Sequence, residues 1–167
     1  LRATGGTEGE ANNKVWTDSG DGRTEGWVDQ PTVFSVANTY AVIAGQAQVV
    51  ASRTESWNAS LAGGVFTKND TPGTQNYSHS VTSMRYLYNA LGQLVGASGE
   101  TTGEANNKVW TDGGDGRTAG WVDQPTVFIV SNTYVILAGQ AQAALSVTES
   151  WNASLAGRVF TKNDRSE

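Results

Sequence analysis

The feature that most constrains this chain is a sixty-residue block that occurs twice. Residues Ala11–Asp70 return as Ala105–Asp164 after a shift of 94 positions, with 48 of 60 residues identical and no gap. The flanking residues keep the register, since Gly9-Glu10 corresponds to Gly103-Glu104. Near-identical units in tandem bury their apolar faces against each other. The duplication therefore predicts a repeat protein with a 94-residue period, in which the chain begins and ends partway through a unit.

This repeat divides the chain into four expected segments. Residues 1–10 are the tail of a preceding repeat, 11–70 are repeat block 1, 71–104 are a connecting hairpin segment, and 105–167 are repeat block 2.

The composition restricts the class of protein and its partners. Charged residues make up 16% of the chain, below the usual quarter, and six Trp argue for packing rather than disorder. A net charge of −5 without any basic run argues against nucleic acid. No segment approaches the roughly 20 apolar residues that span a bilayer, so we expect no membrane insertion. Cysteine is absent, which excludes disulfides and thiolate metal sites.

Strand signals dominate the chain. Turn residues recur about every 8–12 positions, and no long stretch keeps a helical apolar period. The run Val127–Val130 is typical of a strand covered on both faces, and Gly45 and Gly139 are predicted bulge positions. The sequence therefore predicts an all-β protein. Two arrangements are open: two β-sandwich-like modules joined by Thr71–Glu104, which we favour, or a continuous stack of β-hairpins.

One hairpin is visible between the two blocks, in the stretch Tyr86–Gly99. Two tyrosines lie on one face, a short turn follows from Asn89 to Gly92, and Leu94 begins the return. This stretch resembles the repeat of the YD-repeat (rearrangement-hotspot) surface proteins, in which Tyr-x-Tyr-Asp is followed by Gly-Arg-Leu and a distant Gly. Asn89 replaces the Asp of that pattern, and Gln93 replaces its Arg. The resemblance implies a bacterial surface or secreted protein built of β-hairpins, and it implies no catalytic residues.

Two sets of side chains are candidate binding residues. Three carboxylates lie in each Gly-rich loop region, and such a cluster could hold calcium, although their spacing does not match an EF-hand and turn chemistry explains them equally well. They are Asp18, Asp21 and Asp29, repeated as Asp112, Asp115 and Asp123. Trp27 and Trp121 lie beside turn residues, so we expect them to be the most exposed tryptophans and the candidate stacking platforms for a sugar.

Other residues carry weaker indications. His79 is the only histidine and has no counterpart in block 2, so a surface or hydrogen-bonded histidine is expected rather than a catalytic one. Lys14 and Lys108 follow Asn-Asn pairs, which suggests an isopeptide crosslink if a buried carboxylate lies nearby. We find no set of side chains arranged for catalysis, so the sequence predicts that the chain is not an enzyme and needs no cofactor.

The favoured function is structural. Tandem β units of low charge are typical of a segment of an extracellular fibre or surface adhesin, with copies of itself or adjoining repeats of the same chain as partners. The alternative is a repeated carbohydrate-binding module that binds surface glycans through duplicated sites.

Overall fold

The computed structural model describes residues 2–18, 25–112 and 119–163, and every regular element in them is a β-strand. The nine strands are β1 Arg2–Asp18, β2 Glu25–Ile43, β3 Gln46–Ala62, β4 Val65–Lys68, β5 Tyr77–Tyr88, β6 Leu94–Asp112, β7 Ala119–Leu137, β8 Gln140–Ala156 and β9 Val159–Lys162. The all-β prediction is confirmed. Across these ranges, no helix is long and apolar enough to cross a membrane.

All nine strands belong to one open antiparallel sheet. The order is β1-β2-β3-β5-β6-β7-β8-β9, and β4 pairs with β3 beside this path. The favoured arrangement of two sandwiches is therefore not the one formed. Most consecutive strands pair with each other as antiparallel hairpins within this one sheet. In the described ranges no second sheet packs against it.

Corresponding strands of the two blocks have matching bounds. After a shift of 94 positions, β2 coincides with β7, β3 with β8 and β4 with β9. The β2–β3 pair shifts register between Thr39 and Tyr40, and the β7–β8 pair shifts at the corresponding point. The same local sequence thus gives the same local pairing.

The turn after β2 differs from the prediction. Ala44 and Gly45 both have positive φ, 50° and 79°, and form a two-residue connection between β2 and β3. Positive φ at both central residues is the requirement of the type I′ hairpin turn, whose twist matches that of the flanking strands. Gly45, like Gly139, is therefore a turn residue, and the prediction of a bulge there is wrong.

The two faces of the sheet differ in how they are covered. We call the face that carries Trp57 and His79 the front face, and the opposite one the back face. On the back face the rings of Phe34 and Phe128 lie over Gly9 and Gly103, where a Cβ would otherwise stand. An aromatic ring over a cross-strand glycine covers exposed backbone, so each pair shields a part of the back face from water.

Little of the molecule is fully buried. Among the described residues, the buried set is Pro31, Pro72, Tyr77, Asn106 and Ala153. The run Val127–Val130, expected to be covered on both faces, is only half-buried. The accessible surface is 11301 Å², whereas a monomer of 17.6 kDa is expected to expose about 7,900 Å². The single-layer sheet thus leaves about 3,400 Å² more surface in water than a compact chain would.

Candidate functional site

A single row of side chains crosses the front face, because residues paired in antiparallel strands point to the same side. The pairing places in this row Glu10, Val33, Trp57, His79, Glu104, Val127 and Trp151. The row contains two sets related by the 94-residue shift, Glu10, Val33 and Trp57 in one and Glu104, Val127 and Trp151 in the other, with His79 of β5 between them.

Each set lies in a groove on the front face. The first groove, about 560 Å³, is lined by Glu10, Val33, Trp57, Phe66 and Lys68. The second, about 370 Å³, is lined by the corresponding Glu104, Val127, Trp151 and Lys162, together with His79 and Val81 of β5. The grooves therefore share their chemistry, and the second has an additional wall contributed by β5.

The two groove tryptophans differ in their ring contacts. Lys68 Nζ lies 4.4 Å from the ring centre of Trp57, and Lys162 Nζ lies 3.8 Å from that of Trp151. Trp57 also stacks on the His79 ring, with centroids 4.9 Å apart and an interplanar angle of 12°. No second ring stacks on Trp151 in the described part of the chain. Trp151 thus lacks the contact that β5 gives to Trp57.

The two groove carboxylates differ in the same way. The Tyr77 hydroxyl donates to Glu104 Oε1 at 2.7 Å, and His79 Nδ1 lies 3.8 Å from the same oxygen. Burial, together with the Glu104 hydrogen bond and charge, raises the pKa of the Tyr77 hydroxyl well above its usual value, so this donor stays protonated. Glu10 is exposed and has no such tyrosine beside it among the described residues.

The clearest difference between the two copies is at an asparagine. Asn106 is 0% exposed, and its Nδ2 donates to Pro72 O at 3.1 Å and to Asp123 Oδ1 at 2.9 Å. The corresponding Asn12 makes the analogous bond to Asp29 at 2.9 Å but is exposed. The segment between β4 and β5 covers Asn106, and nothing in the described ranges covers Asn12.

The β8–β9 hairpin contacts the first residue of β5 and the segment before that strand. Phe160 stacks on Tyr77 with ring centres 5.7 Å apart. Arg158 Nη2 donates to Asp70 O at 2.8 Å, and Arg158 itself has a φ of 71°, a conformation that costs free energy in any residue but glycine. These contacts hold the hairpin of block 2 against the segment that precedes β5.

Among the described residues, the two outer edges of the sheet are unpaired along the stretches that correspond to the partners of β5. β5 pairs with β3 along Ala51–Trp57 and with β6 along Leu94–Asn106. The corresponding stretch Leu145–Trp151 of β8 has only β7 beside it in the part of the chain that the structure describes. The stretch Arg2–Asn12 of β1, which corresponds to Gly96–Asn106, likewise has only β2 beside it there. Each open edge thus corresponds to a strand edge that β5 pairs with inside the sheet: the β8 edge to that of β3, and the β1 edge to that of β6.

The tryptophans singled out from the sequence lie elsewhere, at the ends of two hairpins. Trp27 is 65% exposed and packs edge-on against Trp16, with ring centres 5.6 Å apart. Trp121 is 56% exposed and packs in the same way on Trp110. Trp16 and Trp110 are exposed to a similar extent, 50% and 56%. The groove residues Trp57 and Trp151 were not predicted as site residues. The contact of Trp57 with His79 gives no signal in the sequence, because a whole strand and a loop separate the two residues.

The other candidates can be placed only in part. Asp21 and Asp115 of the proposed calcium loops, and the side chains of Asp18 and Asp112, lie outside the described residues. Within those residues no group of three or more possible ligands for a metal is found. Lys14 and Lys108 do meet carboxylates, with Nζ 3.7 Å and 3.5 Å from Oδ1 of Asp29 and Asp123. The two carboxylate side chains are 45% and 43% exposed, so they are not the buried carboxylates that an isopeptide crosslink requires.

His79 stacks on Trp57 and lies 3.8 Å from Glu104 Oε1, whereas its Nε2 is buried and has no hydrogen-bond partner among the described residues, so its hydrogen-bonded role stays a prediction. Comparison of the chain with protein-family models, curated proteins and solved structures found no match in any of the three. Any function must therefore be argued from the geometry of the grooves and edges.

Proposed function

We propose that this chain is a structural subunit or segment of an extracellular fibre or surface adhesin, built from tandem β repeats that join head to tail along the sheet. The observation that carries the proposal is that the open edges of β1 and β8 correspond to the edges of β6 and β3 that pair with β5. Open sheet edges present a row of free amide and carbonyl groups that pair with further strands. We therefore expect further strands to add to the sheet at these edges.

The exposed surface supports association on a large scale. The excess of about 3,400 Å² over a compact monomer is surface that association between copies can cover. The open edge of β8 also carries apolar side chains, since Leu145 and Val147 are 58% and 47% exposed. The corresponding residues of β3 are Ala51 and Arg53. An apolar edge of this kind favours further pairing over solvation.

The hairpin at Tyr86–Gly99 supports the surface-protein part of the proposal. Asn89 Oδ1 accepts from Leu91 N at 3.0 Å and from Gln93 N at 2.9 Å. Asn at this position thus makes the turn bonds that an Asp oxygen would make in the YD-repeat pattern. That resemblance is the basis for proposing a bacterial source and a location outside the cell.

Sedimentation velocity across a dilution series tests the proposal. We expect species larger than one chain at high concentration, and we expect the double variant Leu145→Lys/Val147→Lys to remain a single chain because lysines block an edge. The matched control is Val135→Lys/Leu137→Lys, which adds the same charge at residues 43% and 52% exposed on β7. A wild-type chain that stays monomeric throughout would refute the proposal, as would equal effects of the two double variants.

A second candidate function is a repeated carbohydrate-binding module. The observation that favours it is the pair of exposed tryptophan clusters, Trp16–Trp27 and Trp110–Trp121, at equivalent hairpin ends. Exposed indole rings bind the apolar faces of sugars, and two sites would add avidity. Glycan-array binding that is lost in a Trp27→Ala/Trp121→Ala variant would favour this function. Binding that is unchanged in the variant, or absent from the wild type, would exclude these tryptophans as the site.

A further inference from the structure

The edge of β1 has the side chains of a strand-binding site, because β6 carries the corresponding residues and holds a strand with them. Along β6, the partner strand places Tyr77 opposite Asn106, His79 opposite Glu104 and Leu87 opposite Gly96. The corresponding positions on β1 are Asn12, Glu10 and Arg2, the last of which replaces Gly96. All three are exposed, and the backbone of β1 is already held extended by β2.

We infer that the β1 edge binds, in an antiparallel orientation, an extended peptide strand with the pattern of β5: a tyrosine opposite Asn12, a histidine opposite Glu10, and a Pro-Gly-containing segment ahead of them. This inference rests on the proposed function, since it names the kind of strand that extends the sheet at this end. It deepens that function by specifying side chains as well as backbone pairing.

The carboxylate supplies the first specific contact. Glu104 accepts a hydrogen bond of 2.7 Å from Tyr77 and lies 3.8 Å from His79 Nδ1. Glu10 stands at the same place in the first groove, next to Val33 and Trp57. A tyrosine hydroxyl from an incoming strand would therefore meet an acceptor that no described residue uses. Hydrogen bonds to a charged acceptor are the stronger class, so this contact selects for tyrosine.

The aromatic ring supplies the second contact. Phe160 stacks on Tyr77, and the corresponding Phe66 of β4 lines the first groove. No tyrosine stacks on Phe66 in the described residues. An incoming tyrosine would thus stack on Phe66 while its hydroxyl reaches Glu10, as Tyr77 does with Phe160 and Glu104.

The segment ahead of the strand supplies the third contact. Asn106 Nδ2 donates to the carbonyl oxygens of Pro72 and Thr74, at 3.1 Å and 3.5 Å. Asn12 has the same amide, already oriented by its bond to Asp29. A preceding loop like residues 69–76 would therefore be tied down on Asn12. These three contacts define the partner as one segment of about twenty residues rather than any exposed strand.

The test uses a fluorescently labelled synthetic peptide with the sequence of residues 69–88, titrated into the full chain at a concentration at which the chain is monomeric. We expect saturable binding, measured by fluorescence anisotropy. Replacing both Thr82 and Ser83 of the peptide by Pro is expected to abolish it, because one of any two successive amides faces the β1 edge.

A double-mutant cycle assigns the site. Peptide Tyr77→Phe and chain Glu10→Ala are each expected to weaken binding about tenfold, and the two together no more than either alone. Chain Glu8→Ala is the control, since Glu8 corresponds to Thr102 and has no counterpart in the Tyr77 contact. Circular dichroism of each variant confirms that the sheet is intact.

The outcomes separate this inference from the proposed function. Peptide binding that depends on Glu10 supports the inference even if the chain alone never associates in sedimentation. A chain that associates through its edges but does not bind the peptide overturns the inference and leaves the proposed function standing. Peptide binding that is equally strong to wild type and Glu10→Ala also overturns it, because the strand is then bound at another place.

Discussion

Asn106 and Asn12 provide an internal comparison of one side chain in two environments. The local sequence around them is the same, Ala-Asn-Asn-Lys-Val-Trp-Thr-Asp. Asn106 is 0% exposed and bonds both Pro72 and Asp123, whereas Asn12 is exposed and bonds Asp29. If burial by the segment before β5 makes the hydrogen bonds of Asn106 stabilising, Asn106→Ala must lower the free energy of unfolding clearly. Asn12→Ala must then leave it nearly unchanged.

The magnitude follows from the bonds that are lost. A neutral hydrogen bond contributes about 0.5–1.5 kcal/mol, and one to a charged group about 1.5–3 kcal/mol. The Asp123 side chain is 43% exposed and regains water, so the lower end applies to its bond. The Pro72 carbonyl stays covered and loses its donor. We expect Asn106→Ala to lower the free energy of unfolding by about 2 kcal/mol, and Tm by about 4–8 °C.

The measurement is equilibrium unfolding in urea, followed by tryptophan fluorescence, with a thermal scan by circular dichroism. Asn12→Ala is the control, and we expect it to change the free energy of unfolding by less than about 0.5 kcal/mol, as exposed substitutions usually do. Both variants must keep the wild-type dependence on urea for the comparison to hold. Equal losses at the two positions would refute the reasoning, because burial would then not distinguish them.

Three further results are expected. The pKa of Tyr77 is raised in the folded chain, so its hydroxyl stabilises the fold below about pH 10 and progressively less above it. The wild type should therefore lose more free energy of unfolding than Tyr77→Phe between about pH 9 and pH 11, measured by urea unfolding at each pH. Parallel losses in the two chains would contradict this. Gly103→Ala should lower the free energy of unfolding by about 1–3 kcal/mol in the same assay, because the added Cβ meets the Phe128 ring. Gly120→Ala, with open space around it, should be neutral or stabilising. The reverse order would be inconsistent with the ring placement. Asn89→Ala should lower Tm because it removes the acceptor for two turn amides, whereas Asn89→Asp keeps that acceptor and should keep the wild-type Tm. If Asp lowers Tm as much as Ala does, the turn depends instead on the side-chain amide that donates to Gln93.

The fold class could be read from the sequence because it depends on local signals. Alternating apolar residues and frequent turn residues predict strands wherever they occur, and the hairpin with its turn at Asn89–Gly92 lies where the pattern placed it. The Gly45 turn was missed for a local reason as well. Glycine with positive φ serves bulges and tight turns alike, and only the preceding Ala44, also at positive φ, identifies the turn.

The candidate site could not be read from the sequence because it depends on contacts between distant strands. Trp57, His79 and Glu104 meet only through the pairing of β3, β5 and β6. The burial of Asn106 is the clearest example, since Asn12 lies in the same eight-residue sequence and is exposed. Choosing one sheet over two sandwiches is a problem of the same kind. Alternation along a strand shows that a face is covered, but it does not show whether another sheet or neighbouring side chains cover it.

The central claim is that the sheet continues through its edges, so that strands of successive copies lie side by side. X-ray diffraction from aligned, concentrated material, checked by negative-stain electron microscopy, tests it most directly. If the account is right, filaments form and the strand spacing of about 4.7–4.8 Å appears along the filament axis, because the strands run perpendicular to it. Single particles the size of one chain at every concentration would contradict the account, and so would filaments in which that spacing lies perpendicular to the axis.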